Sequence, residues 1–133
     1  MIVVDASAVV ALLIDGGEVG RFIGTTIAAS EIAYPSLMPY EVANALRRLS
    51  IDGTVHESVA RQAVSDANTL RGLVLEFEEL ADRAWQLRRN LSIYDAAYVA
   101  VAESIDAPLL TLDTRIVAAP GTQCRFIDVP RID

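Results

Sequence analysis

The sequence predicts an α/β fold whose mostly parallel sheet is covered on both faces by helices. Three observations carry this. Short apolar runs alternate with segments of helical spacing along the chain. The strand-like runs, MIVVD foremost, are apolar at consecutive positions, as strands buried on both faces are. Gly, Pro, Ser and Asp fall between the segments, where turns and caps need them.

The elements follow in order. MIVVD is strand one, with Asp5 at its end. SAVVALLI has helical spacing and is broken by Asp15-Gly16-Gly17. EVGRFIGTTIAA is a second helix, weakened by the interior glycines Gly20 and Gly24. EIAYP, closed by Pro35, is strand two. MPYEVANALRRLSIDG is helical, with Pro39 suited to its first turn and Gly53 to its exit. HESVARQAVSDANTLRG is the next helix, ended by Gly72. This helix pair is longer than one crossover needs, and the surplus is a candidate protrusion for dimer or partner contact. LVLEFE is strand three. EELADRAWQLRRN is amphipathic, with Leu80, Ala84, Trp85 and Leu87 on its apolar side. SIYDAAYVAVAESI is an apolar helix with a small-residue face. PLLTLD is strand four, TRIVAAP a helix of one or two turns, and CRFIDV strand five.

Composition narrows the function. The 133 residues are 53% hydrophobic and 22% charged, which fits one compact domain over residues 1–133 and not a disordered chain. The apolar stretch from Ala6 to Ile14 falls well short of the ~20 residues a membrane span needs, and no basic segment precedes it. The expected location is therefore the cytoplasm. The single Cys124 forms no intrachain disulfide and reads as a small buried hydrophobe. With one cysteine and one histidine, the chain lacks the ligand set of a structural zinc site. His56 reads as a solvated helix-start residue. Any metal here is held by oxygen, which favours hard cations such as Mg²⁺ or Mn²⁺. The net charge of −7 argues against a broad nucleic-acid-binding face, because cations on phosphates supply most nonspecific affinity. All 11 basic residues are Arg. The absence of Lys removes Schiff-base and P-loop chemistry.

Four acids fall at element junctions. Asp5 ends strand one and Asp113 ends strand four. Glu41 and Asp95 lie in the first turns of two helices. In a parallel sheet, strand C-termini and the N-termini of the following helices share one edge, where ligands of open α/β sheets bind. The four acids are expected to converge there. Each also has a structural reading: Asp5 and Asp113 as N-caps, Glu41 offsetting a helix dipole, Asp95 completing a capping box with Ser92. Jointly they repel one another, and a divalent cation removes that penalty. Around them, Ser7, Asn44 and Thr111 are placed to orient a carboxylate, a water or a phosphate oxygen. Tyr98 shares a helical face with Asp95. Arg115 is placed to meet a phosphate or to stay a solvated charge, and Arg47-Arg48 and Arg88-Arg89 either flank a nucleic-acid path or are polar helix faces.

The blocks IVVDASAVVALL, PYEVANALRR, SIYDAAYVAVAESIDAPLLTLDTR and the closing FIDV resemble a PIN domain, and more narrowly the VapC ribonuclease toxins of bacterial toxin–antitoxin pairs. The likeness covers essentially the whole chain. The pairing of YDAAY with PLLTLD is its specific part. The resemblance implies a three-layer α/β/α PIN-like fold with a central sheet of four or five strands. It implies RNA phosphodiester cleavage with Mg²⁺ or Mn²⁺, Asp5 and Asp95 as metal ligands, and Glu41 and Asp113 completing the acidic pocket directly or through water. It also implies a homodimer silenced by a small antitoxin whose basic tail enters the pocket.

The chemistry so implied is metal-assisted hydrolysis, with one carboxylate, Glu41 or Asp113, orienting or deprotonating the attacking water. Two rivals remain. An aspartyl-phosphate enzyme fits Asp5 at the end of strand one, but lacks its lysine and the Asp-x-Asp start, since the chain reads Asp5-Ala6-Ser7. A non-catalytic module holding a basic peptide in the acidic crevice is separated from a nuclease by metal-dependent RNA cleavage that vanishes in Asp5→Asn.

Overall fold

The computed structural model describes residues 1–130; the last three residues of the span expected as one domain lie outside the described residues. Four strands, β1 (Ile2–Val4), β2 (Ile32–Pro35), β3 (Leu73–Leu75) and β4 (Leu109–Leu110), form one sheet in the order β3-β2-β1-β4. Every pairing is parallel, with Val3 opposite Ala33 on one side and Leu109 on the other. All three residues of β1 are buried, so both faces of the sheet are covered.

Two groups of helices provide that cover. α1 (Ala6–Ile14), α2 (Glu18–Ala28), α3 (Met38–Ile51) and α4 (Glu57–Ala67) pack on one another. α5 (Phe77–Gln86) pairs with α6 (Ile93–Ser104), which lies against β1, β2 and β4, and α7 (Thr114–Ala118) follows β4. The result is the expected three-layer arrangement. α6 is buried from Ala96 to Ala102 without interruption, which is why its sequence is apolar on all sides rather than along one stripe. Its small side chains leave room for Tyr98, the bulkiest of the fully buried ones.

Close approach explains one of the two glycines that weaken α2 on paper. A Cβ on Gly20 would stand 1.8 Å from the backbone oxygen of Asp15, the C-cap of α1. Only glycine lets the two helices turn back on each other there. His56 N-caps α4, its Nδ1 accepting from Ser58 N–H at 3.1 Å, in the helix-start position expected of it. The α3–α4 pair, expected as a protrusion, instead folds back, with α4 packed on α1 as well as α3.

Several boundaries differ from expectation. Strand three stops at Leu75, because Glu76 takes an extended N-cap conformation and Phe77 begins α5. β4 is two residues long, so Thr111 and Asp113 lie beyond it rather than on one strand face. CRFIDV makes only a bridge from Phe126 to Leu109, with Leu109 N–H donating to Arg125 O at 2.9 Å and Ile127 N–H to Leu109 O at 3.0 Å. A two-residue partner offers no longer ladder. Trp85, expected on the apolar side of α5, is 61% exposed while Leu80, Ala84 and Leu87 are buried. One residue past Ala84 is a further 100° of helix rotation, which carries Trp85 to solvent with the Arg88 guanidinium 4.7 Å from its ring centre. Cys124 is half-buried against the core rather than fully buried, and burial pushes its thiol up to about 11.

Candidate active site

The order of the sheet fixes where a site can form. From β1 the chain crosses to β2 on one side, while β4 lies on the other. A crevice therefore opens between the C-terminal ends of β1 and β4. Asp5 N–H donates to Leu110 O at 3.2 Å and ties the two ends together.

Asp5 caps α1 from this position. Its Oδ1 accepts Ala8 N–H at 3.0 Å and the Ser7 hydroxyl at 2.6 Å, and its Oδ2 accepts the Thr111 hydroxyl. The two hydroxyls are themselves placed by the strap after β4: Ser7 Oγ accepts Leu112 N–H at 2.9 Å, and Thr111 Oγ1 accepts Asp113 N–H at 3.0 Å. Asp5 is only 3% exposed. That burial raises its carboxyl above the ordinary range; the hydrogen bonds oppose the rise and the Asp113 charge adds to it.

The other three acids face the same space. Glu41 projects from the first turn of α3 and accepts the Tyr98 hydroxyl at 2.6 Å. Burial raises the Glu41 carboxyl, the Tyr98 bond lowers it, and Asp95 and Asp5 raise it further. Asp95 stands in the first turn of α6, where Ser92 Oγ accepts its N–H at 3.1 Å. Among the described residues, the reciprocal backbone bond of a capping box is not formed; the Asp95 carboxylate has the Ser92 hydroxyl, Asp113 and Arg115 around it. Burial and then the Asp113 charge raise its carboxyl. Asp113 caps α7 and grips Arg115 with both oxygens, Oδ1 to Nε at 3.1 Å and Oδ2 to Nη2 at 2.7 Å. That bond holds the Asp113 carboxyl below the usual range.

All four acids thus line one cleft of about 360 Å³. Ser7, Tyr98 and Arg115 line it with them. Asn44, expected beside them, is exposed and does not line the cleft. On α3 the residues under the cleft are Ala45 and Arg48, four and seven positions after Glu41, and Asn44 falls on the solvent side of that row. Arg48 entered the sequence reading only as half of the Arg47-Arg48 pair. The i, i+7 spacing from Glu41 is the signal that separates it from Arg47. Arg88 and Arg89 do not line the cleft. A larger groove of about 640 Å³ opens at the opposite end of the strands, around Met1, Ile32 and Leu73, and carries no comparable set of acids.

The donor set suits a hard divalent cation. It is all oxygen, and three of its four carboxyls are raised by burial and mutual repulsion, a deficit that a cation offsets. Among the described residues, no three acidic, histidine or cysteine side chains converge closely enough to encage an ion. An ion that keeps several waters and takes one or two carboxylates, as Mg²⁺ does, has no need of such a cage.

Residues 2–121 match the model of the PIN domain family. The chain is 37% identical over 131 residues to the VapC ribonuclease Mb0985 of Mycobacterium bovis, covering 98% of this chain and all of that one. It is 39% identical over 125 residues to ribonuclease VapC1 of Mycobacterium tuberculosis, covering 93% of this chain and 94% of the relative. Among solved structures, PAE2754 from Pyrobaculum aerophilum superposes with a TM-score of 0.64 at 30% identity, over 87% of this chain and 76% of that one.

Proposed function

The chain belongs to the PIN domain family, and from that premise we propose that it is an endoribonuclease acting as the toxin of a toxin–antitoxin pair. It hydrolyses RNA phosphodiester bonds with Mg²⁺ or Mn²⁺. One observation carries the reading: carboxylates from four separate segments line a single cleft at the carboxyl end of the sheet. Caps alone do not require four acids to meet.

Asp5 and Asp95 hold the ion, and Glu41 and Asp113 complete the pocket directly or through water. The ion supplies positive charge at the phosphoryl oxygens and lowers the pKa of the attacking water. The rest of the work falls to the chain. Ser7, Thr111 and Ala8 N–H fix both oxygens of Asp5, so this ligand is oriented before anything binds. Tyr98 holds Glu41 from the core, leaving its second oxygen to orient or deprotonate the water. The overall charge of −7 repels nucleic acid, so RNA binding rests on Arg48, Arg115 and the bound cation at the cleft itself.

No helix among the described residues is long and apolar enough to cross a membrane. The working form is a cytoplasmic homodimer, silenced by a small antitoxin whose basic tail enters the acidic cleft. The test is to incubate the purified protein with total RNA and Mn²⁺, with and without EDTA, and to map the ends. Discrete cuts that need the metal and disappear in Asp95→Asn are expected. The same products from wild type and Asp95→Asn would defeat the assignment.

A further inference from the structure

Arg115 sits in the first turn of α7, two residues after Asp113, with 79% of its side chain exposed. Its guanidinium is nonetheless committed to the cleft. It makes the two-pronged contact with Asp113 described above, and Nη2 also reaches Asp95 Oδ2 at 3.9 Å. Asp95 is one of the two carboxylates assigned to the ion, and Asp113 is one of the two that complete its pocket. Arg115 and a divalent cation therefore draw on the same oxygens.

We propose that Arg115 is a built-in counter-ion that competes with the metal for Asp95 and Asp113, and that metal binding hands its guanidinium over to a phosphate of the RNA. The inference rests on the metal-dependent reading above. Geometry permits the exchange. The side chain is anchored only at its tip, by an exposed surface pair of the kind that contributes little on its own. It stands at the mouth of the cleft, where the chain must meet the substrate. Planar guanidinium recognises phosphate through the same two-pronged geometry that it uses on a carboxylate. A freed Arg115 thus keeps its bonding capacity while changing its partner. Arg48 differs: it lines the cleft and faces Glu41, but among the described residues it forms no ion pair with the four acids.

The competition predicts two effects of opposite sign from one substitution. In Arg115→Gln, Mn²⁺ titrated by calorimetry or by loss of the free-ion electron-resonance signal binds roughly three- to tenfold tighter than in wild type, as expected for removing one positive charge beside the ion. In the same variant KM for RNA rises while kcat changes less. Arg115→Lys keeps the charge without the fork, so its Mn²⁺ affinity falls between the two and its KM stays nearer wild type. Arg48→Gln, which removes a charge that does not hold Asp95 or Asp113, tightens Mn²⁺ by less than Arg115→Gln. Wild type that binds Mn²⁺ with unchanged or weaker binding in Arg115→Gln overturns this inference alone, as does an unchanged KM. Wild type that takes up no Mn²⁺ overturns the metal-dependent reading together with it.

Discussion

The Tyr98 hydroxyl donates to Glu41 Oε1 at 2.6 Å, joining α6 to α3 across 57 residues of sequence. Tyr98 is 1% exposed, so the bond couples the packed core directly to the cleft. Burial pushes the Tyr98 phenol far above its ordinary range, and the Glu41 bond pushes it further. It therefore serves as a fixed donor and not as an acid or base at neutral pH.

Tyr98→Phe removes that donor while keeping the ring. The bond lowers a carboxyl that burial raises, so without it Glu41 holds its proton to higher pH. The acid limb of the kcat/KM profile moves up in pH, and folding stability falls by about 1–2 kcal/mol. Both are read from a pH series of RNA cleavage and from urea unfolding.

Thr111→Val keeps the shape of the side chain and removes the donor to Asp5 Oδ2. Asp5 is almost wholly buried, so an oxygen left without a partner costs about 1–3 kcal/mol. The lost bond favoured the charged carboxylate. The deficit is therefore full at neutral pH and shrinks as falling pH protonates Asp5. Urea unfolding at pH 5 and pH 7 measures the difference.

Asp95→Asn has the opposite effect on stability. Burial and the Asp113 charge raise the Asp95 carboxyl in the folded state, so its ionisation at neutral pH opposes folding, and that cost is relieved as pH falls through the raised value towards the ordinary carboxylate range. The neutral amide removes the cost. In EDTA the variant melts above wild type by a few degrees, since about 1 kcal/mol shifts a domain of this size by roughly 3 °C. Mn²⁺ then raises the Tm of wild type more than that of the variant.

Arg83→Met tests a part of the fold outside the cleft. Arg83 makes paired bonds to Glu103 at 2.6 and 3.2 Å and a third to Gly121 O at 2.8 Å, while Glu103 also accepts Gln123 N–H at 3.0 Å. This knot fastens the segment after α7 to α5 and α6. Removing the cation strands a mostly buried carboxylate, side chain 15% exposed, at a cost of about 2–3 kcal/mol. Mn²⁺ affinity, measured by calorimetry, stays at the wild-type value.

What the sequence made legible follows from where two demands coincide. Asp5 and Asp113 are needed as caps at the very junctions where a crevice opens, so cap chemistry and cleft chemistry ask for the same residue type at the same place. Glu41 and Asp95 stand in first turns for the same reason. The alternation of strands and helices shows the layers because β1 and α6 are buried on all sides. Details that depend on tertiary contact were not legible. The choice of Ala45 over Asn44, four and three residues after Glu41, depends on how α3 is rotated against α1. The exposure of Trp85 depends on one residue's turn of α5. The shrinking of CRFIDV to a bridge depends on β4 being two residues long. Gly20, which looked like a weakness of α2, is required by the Asp15 carbonyl, a contact that no local pattern announces.

The most direct test is to soak crystals of the protein in Mn²⁺ and locate the ion by its anomalous scattering. The account predicts a peak in the cleft within coordination distance of Asp5 and Asp95, lost in crystals of Asp5→Asn. A saturating soak that leaves the cleft without a peak, or places the ion elsewhere on the molecule, contradicts it.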